Sequence, residues 1–268
     1  IPFELAELGA LGMDAWLSAL AYGAECVALL PGTTRARVSG ALSEQIVFTG
    51  AILEGMGYPA SLIHLLEGDN QAVLAALAAI PPRRESPRAT FAGIDEKRTV
   101  LRLAIEHLHT AAPEPRSAVA LPAGAPFGEI LVDRAACTLC MACVSVCPVG
   151  ALADGGDMPQ LNFIEGNCVQ CGLCQTACPE HAIRLAPRYL YDASERRRAR
   201  VLNQEEPFYC VVCGKPFATR KLMDRMTQKL QNHWMYQSAD ALRRVQMCGD
   251  CRVREVFRAD AKRREGVE

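Results

Sequence analysis

Twelve of the thirteen cysteines fall into three tight groups. Cys137, Cys140, Cys143 and Cys147 form the first, Cys168, Cys171, Cys174 and Cys178 the second, and the pairs Cys210, Cys213 and Cys248, Cys251 the third, leaving Cys26 alone. A disulfide framework competes for them, but such frameworks belong to small secreted chains, and repeated close spacing suits metal ligation better. The first two groups read CTLCMACVSVCP and CVQCGLCQTACP, each three cysteines at steps of three, a fourth four residues on, then Pro148 or Pro179. Three thiolates so spaced on a tight loop can reach three corners of one iron-sulfur cube. The fourth, on the following helix, points back across the module, and the proline, with its fixed φ, sets the chain direction after it.

These two runs resemble those of the bacterial-type 2[4Fe-4S] ferredoxins. Carried over position by position, the family's crossed pairing gives one 4Fe-4S cluster Cys137, Cys140, Cys143 and Cys178, and the other Cys168, Cys171, Cys174 and Cys147. The offset of 31 residues, Cys137 to Cys168, is an internal repeat consistent with the family's pseudo-twofold fold. Short β-prone pieces fall at 130–132, 161–164 and 182–185, and the stretch Asp154 to Pro159 reads as a surface turn. The resemblance covers residues 127–187. A fully cysteine-ligated cube has no open coordination site, so the module is expected to move single electrons rather than bind substrate. With two arginines against six acids over 127–187, it is expected to dock on basic faces of a redox enzyme or electron-carrier protein.

Cys210, Cys213, Cys248 and Cys251 form two knuckles able to close a tetrahedral thiolate site. Zinc is the expected ion; a rubredoxin-like iron or a third iron-sulfur cluster are the alternatives. The knuckles lie 34 residues apart, 214–247. Helices expected over Thr219 to His233 and Ser238 to Met247 would fold as a hairpin and bring them together. His233 reads as a helix-end residue, not a ligand. This tail also resembles the C-terminal part of iron-sulfur proteins associated with bacterial formate dehydrogenases, which implies an electron-relay role near a molybdenum or tungsten enzyme. Arg196, Arg197, Arg198 and Arg200 invite a nucleic-acid reading, but no aromatic residue is interleaved among them, so a solvated face or a patch for an acidic partner is preferred.

The elements that must carry these sites divide the chain of 268 residues as follows: 1–111, a small α/β docking domain; 112–126, a Pro/Ala linker; 127–187, the ferredoxin module; 188–206, a basic linker; 207–268, a helical zinc-type module. The fold class is therefore α+β and multi-domain. In the first segment, helices over Phe3 to Tyr22, Ala41 to Met56, Asn70 to Ile80 and Asp95 to His109 alternate with buried-strand candidates Cys26 to Leu30 and Leu62 to Leu66, which argues for a parallel sheet. The loop Pro31 to Arg35 sits where α/β folds bind ligands but lacks a phosphate-cradling pattern. The formal charge of −1 conceals two poles. Residues 1–187 hold 11 Lys/Arg against 19 Asp/Glu, and 188–268 hold 18 against 11. No run reaches the length of a membrane span, and no basic-then-apolar start suggests a signal peptide, so a reducing cytoplasm is expected. These readings converge on an electron-transfer protein or oxidoreductase subunit without a catalytic site of its own; an iron-sulfur regulatory or assembly factor is the alternative.

Overall fold

The computed structural model describes residues 2–31, 40–80, 87–93, 96–156 and 158–264, with side chains through 258. The chain forms two compact units, residues 1–128 with 187–196, and residues 129–186 with 197–268. No helix among the described residues is long and apolar enough to cross a membrane.

The first unit opens with α1 (Met13–Ala21), β1 (Val27–Leu29), α2 (Gly40–Glu54), β2 (Ile63–Leu65), α3 (Asn70–Ala78), α4 (Lys97–Thr110) and β3 (Ala118–Ala120). β1 and β2 pair in parallel, Val27 opposite Ile63 and Leu29 opposite Leu65, as the helix-strand alternation leads one to expect. Around them Trp16, Leu17, Leu20, Ile52, Leu53, Met56, Ile105 and Leu108 are almost completely buried. The first helix starts at Met13 rather than Phe3. Gly9 and Gly12 lie in the lost part, and glycine weakens a helix that must form before packing can hold it. α3 begins where Asp69 accepts the Ala72 amide at 2.8 Å. Residues 32–35 of the loop after β1, and Asp95 at the expected start of α4, lie outside the described residues.

Two stretches expected as linkers carry regular structure. Segment 112–126 contains β3, and its Leu121 and Ala125 enter the core. β3 pairs antiparallel with residues 188–190, Val119 opposite Tyr189. Tyr189 and Tyr191 are buried, and Tyr191 Oη donates to Ile52 O at 2.5 Å. Arg196 is buried too: it pairs with Glu106, donates to Leu190 O (2.6 Å) and Tyr191 O (2.9 Å), and lies over the Tyr189 ring. A composition rich in Arg and polar residues reads as a hinge, but the buried Tyr189, Tyr191 and Arg196 tie this segment to the core.

The chain continues through β4 (Gly128–Val132), α5 (Ala142–Ser145), β5 (Leu152–Gly155), β6 (Met158–Phe163), α6 (Leu173–Thr176) and β7 (Ile183–Leu190), returns to the first unit for most of α7 (Ala193–Arg197), and completes the second unit with β8 (Arg200–Gln204), β9 (Pro207–Tyr209), β10 (Pro216–Thr219), α8 (Arg220–Leu230), α9 (Ala239–Val245) and α10 (Gly249–Arg264). β7 runs through the boundary, its last residues belonging to the first unit. The repeat of 31 residues is visible atom by atom. Asp133 N donates to Ala182 O and Ile164 N to Ala151 O, both at 2.8 Å, so each half is closed by the other. β5 and β6 pair as a hairpin; of the expected surface turn, Asp154 and Gly155 end β5, Met158 and Pro159 begin β6, and Asp157 lies outside the described residues. β6 is also paired with β8, a strand inside the expected basic linker. α8 is capped by Thr219 and α9 by Ser238, close to the expected hairpin.

Candidate metal centres

Each four-cysteine run is a loop, a one-turn helix and a return. In the loops, backbone φ is positive at Leu139 (54°) and Met141 (61°), and at the repeat-related Gln170 (55°) and Gly172 (80°). Left-handed residues alternating with ordinary ones curl the main chain into a concavity that suits a bound anion, and side-chain residues adopt them only when the surroundings hold them there. α5 and α6 follow, 31 residues apart. After the fourth cysteine the chain turns back so that Ala151 N donates to Cys147 Sγ at 3.2 Å and Ala182 N to Cys178 Sγ at 3.3 Å. Hydrogen bonds to ligand sulfur are one of the means by which a protein sets a cluster's potential.

Cys137, Cys140, Cys143 and Cys178, one of the two expected sets, line a single small, partly open cavity, with Thr138, Leu139, Leu161 and Ile183 among its other walls. Burial pushes the Cys143 thiol up to about 12, with Cys137, Cys140 and Cys174 adding to it electrostatically. In the second set, burial pushes Cys174 up to about 11, and Cys168, Cys171 and Cys147 contribute, so the fourth cysteine of the first run is felt by the second loop. Such thiols stay protonated at neutral pH until iron displaces the proton. The two sets are not equivalent. Gln170 donates its backbone amide (3.5 Å) and its side-chain amide (3.4 Å) to Cys168 Sγ, where the repeat places Leu139. Aligning the chain with itself at the 31-residue offset shows this polar-for-apolar exchange; reading the cysteines alone does not.

The third group is built differently. The Sγ atoms of Cys210, Cys213, Cys248 and Cys251 all lie within 4.8 Å of one another. Cys213 Sγ and Cys248 Sγ are 3.7 Å apart, close to the edge of about 3.8 Å expected for a tetrahedron of thiolates ~2.3 Å from one ion. Among the described residues only this group is so compact, which suits a single ion better than a cube. The first knuckle is a turn in which Gly214 (φ 70°) donates to Cys210 O at 2.9 Å. The second is a helix start, Cys248 preceding α10 and Cys251 in its first turn. Burial works to raise the Cys210 thiol, but amides of Cys248, Cys213 and Val212 hold it down to about 6. Cys251 is pushed up to about 12 by its hydrogen bond to Cys213, then by burial. His233 is exposed, and its Nδ1 accepts from Met235 N at 3.3 Å, so it caps a short helix and does not join the sulfurs.

Several side chains around the first loop carry no metal-ligand signature. Thr219 Oγ1 donates to Thr138 O at 3.2 Å, Lys221 Nζ donates to Arg134 O (3.0 Å) and Cys137 O (3.1 Å), and Arg225 pairs with Glu180. Arg200 bridges Glu129 (3.1 Å) and the buried Glu165 (2.9 Å). The sequence offers these residues only as a generic basic tail.

Twinned cysteine loops closed across a pseudo-twofold axis, each with backbone amides on its sulfurs, define an iron-sulfur module of the electron-transfer class. A family model described as a 4Fe-4S dicluster domain matches residues 129–179. "Ferredoxin-1" of Caulobacter vibrioides is 30% identical over 106 residues, which cover 37% of this chain and 87% of that protein. The chain belongs to the ferredoxin family, with iron-sulfur electron transfer as the role of that part of its length.

Proposed function

We propose that the chain is an electron carrier, or the electron-carrying subunit of an oxidoreductase, holding two 4Fe-4S clusters. Cys137, Cys140, Cys143 and Cys178 would ligate one, and Cys168, Cys171, Cys174 and Cys147 the other. The observation that carries this reading is the joint lining of one cavity by four cysteines drawn from both runs, with the N–H···S bonds repeated at Cys147 and Cys178. When bound, a cluster with four cysteine ligands takes up and gives back one electron and leaves no site for substrate. The chain's own contribution is to exclude water with Leu139, Leu161, Phe163 and Ile183, to place amide donors on the sulfurs, and to fix the loops in left-handed backbone.

Cys210, Cys213, Cys248 and Cys251 would hold a single zinc ion, iron being the alternative at the same geometry. The partner is a redox enzyme or carrier, and the resemblance of the tail makes a formate dehydrogenase the first to test. Residues 1–111 serve as the docking domain. Anaerobic metal and sulfide analysis of the full chain should find about eight irons with matching sulfide and one zinc. EPR of the dithionite-reduced protein should show two interacting one-electron centres. Reconstituted protein with no reducible signal refutes the proposal, and co-purification with a molybdenum or tungsten enzyme decides the partner.

A further inference from the structure

Among the described residues, the apolar core of the C-terminal thiolate module is small. Its buried centre is Cys210, Met247, Cys248 and Cys251, with Phe217 packed against it. Three of the four residues of that centre are thus candidate ligands, and beyond it the described residues of the module bury only Thr219, Met223 and Val245. A module built this way depends on its ion for folding, since a small apolar cluster does not offset the entropy of ordering the chain. Yet α8 is the element that touches the first cysteine loop. Thr219, its cap, holds Thr138 O; Lys221 holds Arg134 O and Cys137 O; Arg225 pairs with Glu180, which lines the cavity beside Cys178. Of the groups contacted, Cys137, Thr138 and Glu180 line the one cavity formed by Cys137, Cys140, Cys143 and Cys178, and Arg134 lies just ahead of Cys137. The repeat-related position, following Cys147 of the other set, is Val149, which offers no carboxylate.

We infer that α8 is an ion-dependent clamp on the first cluster: the C-terminal ion fixes the helix, and the helix fixes the loop 134–138 and Glu180 that enclose the site on Cys137, Cys140, Cys143 and Cys178. Loading of the C-terminal site therefore controls retention of the first cluster and leaves the second to its own loop. This rests on the proposed ligand sets, and it adds a dependence of one site on another. Lys221 and Thr219 act as positioning residues: they touch backbone carbonyls next to ligands and not the sulfurs.

The test uses the full chain, reconstituted anaerobically, with iron, sulfide and zinc counted and iron release to a ferrous chelator followed in time. Lys221→Met keeps the zinc ligands, so zinc content stays at that of the wild type. Half of its iron should leave about tenfold faster, equivalent to about 1.4 kcal/mol, the scale of a charge-assisted hydrogen bond lost. A Cys213→Ser/Cys251→Ser chain should lose zinc and that same half of the iron. The reduced EPR spectrum of both should approach that of Cys140→Ser, in which the first site lacks a ligand and the second stands alone. Iron release from Lys221→Met and from the zinc-free variant that matches wild type, with both clusters retained, overturns the clamp while leaving the cluster assignment standing. Accelerated release of both halves alike also overturns it, because the contacts are one-sided. A wild-type chain that takes up no cluster overturns the clamp and the assignment together.

Discussion

Exchanging Gln170 for leucine should lower the midpoint potential of one cluster alone. Gln170 Nε2 donates to Cys168 Sγ at 3.4 Å and to Glu129 O at 3.0 Å, so the amide is held in place and cannot swing to solvent. Its repeat partner Leu139 shares the left-handed backbone but is buried (7% exposed) and gives sulfur nothing. A donor at a ligand sulfur favours the reduced cluster, which carries one more negative charge. The differential gain for a neutral N–H donor is about 0.5–1 kcal/mol. Since ~59 mV corresponds to ~1.4 kcal/mol for a one-electron couple, Gln170→Leu should lower the second cluster by about 20–40 mV. Leu139→Gln should raise the first by up to the same amount. Gln170 Oε1 is buried without a hydrogen-bond partner, so leucine there also removes an orphaned acceptor and the fold should not suffer. A mediated redox titration followed by EPR reads both midpoints. An unchanged or raised second midpoint in Gln170→Leu refutes the argument.

The remaining predictions concern stability and ion binding. Tyr189 Oη is buried without a hydrogen-bond partner, and burial pushes its pKa up to about 12. Because the unfolded phenol ionises near 10, stability should fall as pH rises from about 10 to 12; Tyr189→Phe should flatten that fall and gain about 1 kcal/mol at neutral pH, read by urea unfolding. Arg196→Met removes the ion pair with Glu106 and two hydrogen bonds to main-chain carbonyls and should cost on the order of 2 kcal/mol in the same assay. Gly172 is left-handed with room for a methyl group, since Leu185 Cδ1, the nearest atom, would stand 3.8 Å from an added Cβ; Gly172→Ala should therefore cost only about 1 kcal/mol and keep the iron. Zinc affinity of the C-terminal site should rise at least about tenfold per pH unit near neutrality, measured by competition with a chelator, because the raised Cys251 thiol must shed a proton to bind.

The parts of the molecule visible in the sequence are those whose signal is local. Cysteine spacing and the repeat of 31 residues fix the loops and the strands at 130–132, 161–164 and 182–185. Helical periodicity with Thr219 and Ser238 as caps marks α8 and α9. What escaped is non-local. The stretch 188–206 looks like a hinge because its arginines and polar residues dominate, while Tyr189, Tyr191 and Arg196 reveal their burial only once α4 and β3 are in place. β8 has no alternation of its own and exists as the partner of β6. Lys221 and Thr219 act through backbone carbonyls, contacts that leave no pattern in a single sequence, while Gln170 shows only against its repeat partner Leu139.

The two charge poles take on a different meaning once the chain is folded. An acidic ferredoxin stretch and a basic tail suggest separate modules facing separate partners. In the second unit they meet instead. Arg200 binds Glu129 and Glu165, and Arg225 binds Glu180, so three of the six acids of 127–187 are paired internally by residues after 188. Of the others, Asp133 receives the Ala135 amide at 2.9 Å and Asp154 the Gly156 amide at 3.2 Å, so each also spends an oxygen on its own loop. The exposed negative charge left to attract a basic partner is smaller than composition implies, and salt should weaken docking correspondingly less. The same pairing places cations near both cysteine loops, Lys221 at the first and Arg200 at the second. Each is itself paired with acids, Lys221 with Glu205 (3.7 Å) and Arg200 with Glu129 and Glu165, so their charge acts locally on the loops. Part of the basic tail, read as a docking patch in the linear sequence, thus spends its charge on the acids and carbonyls of the chain's own cysteine module.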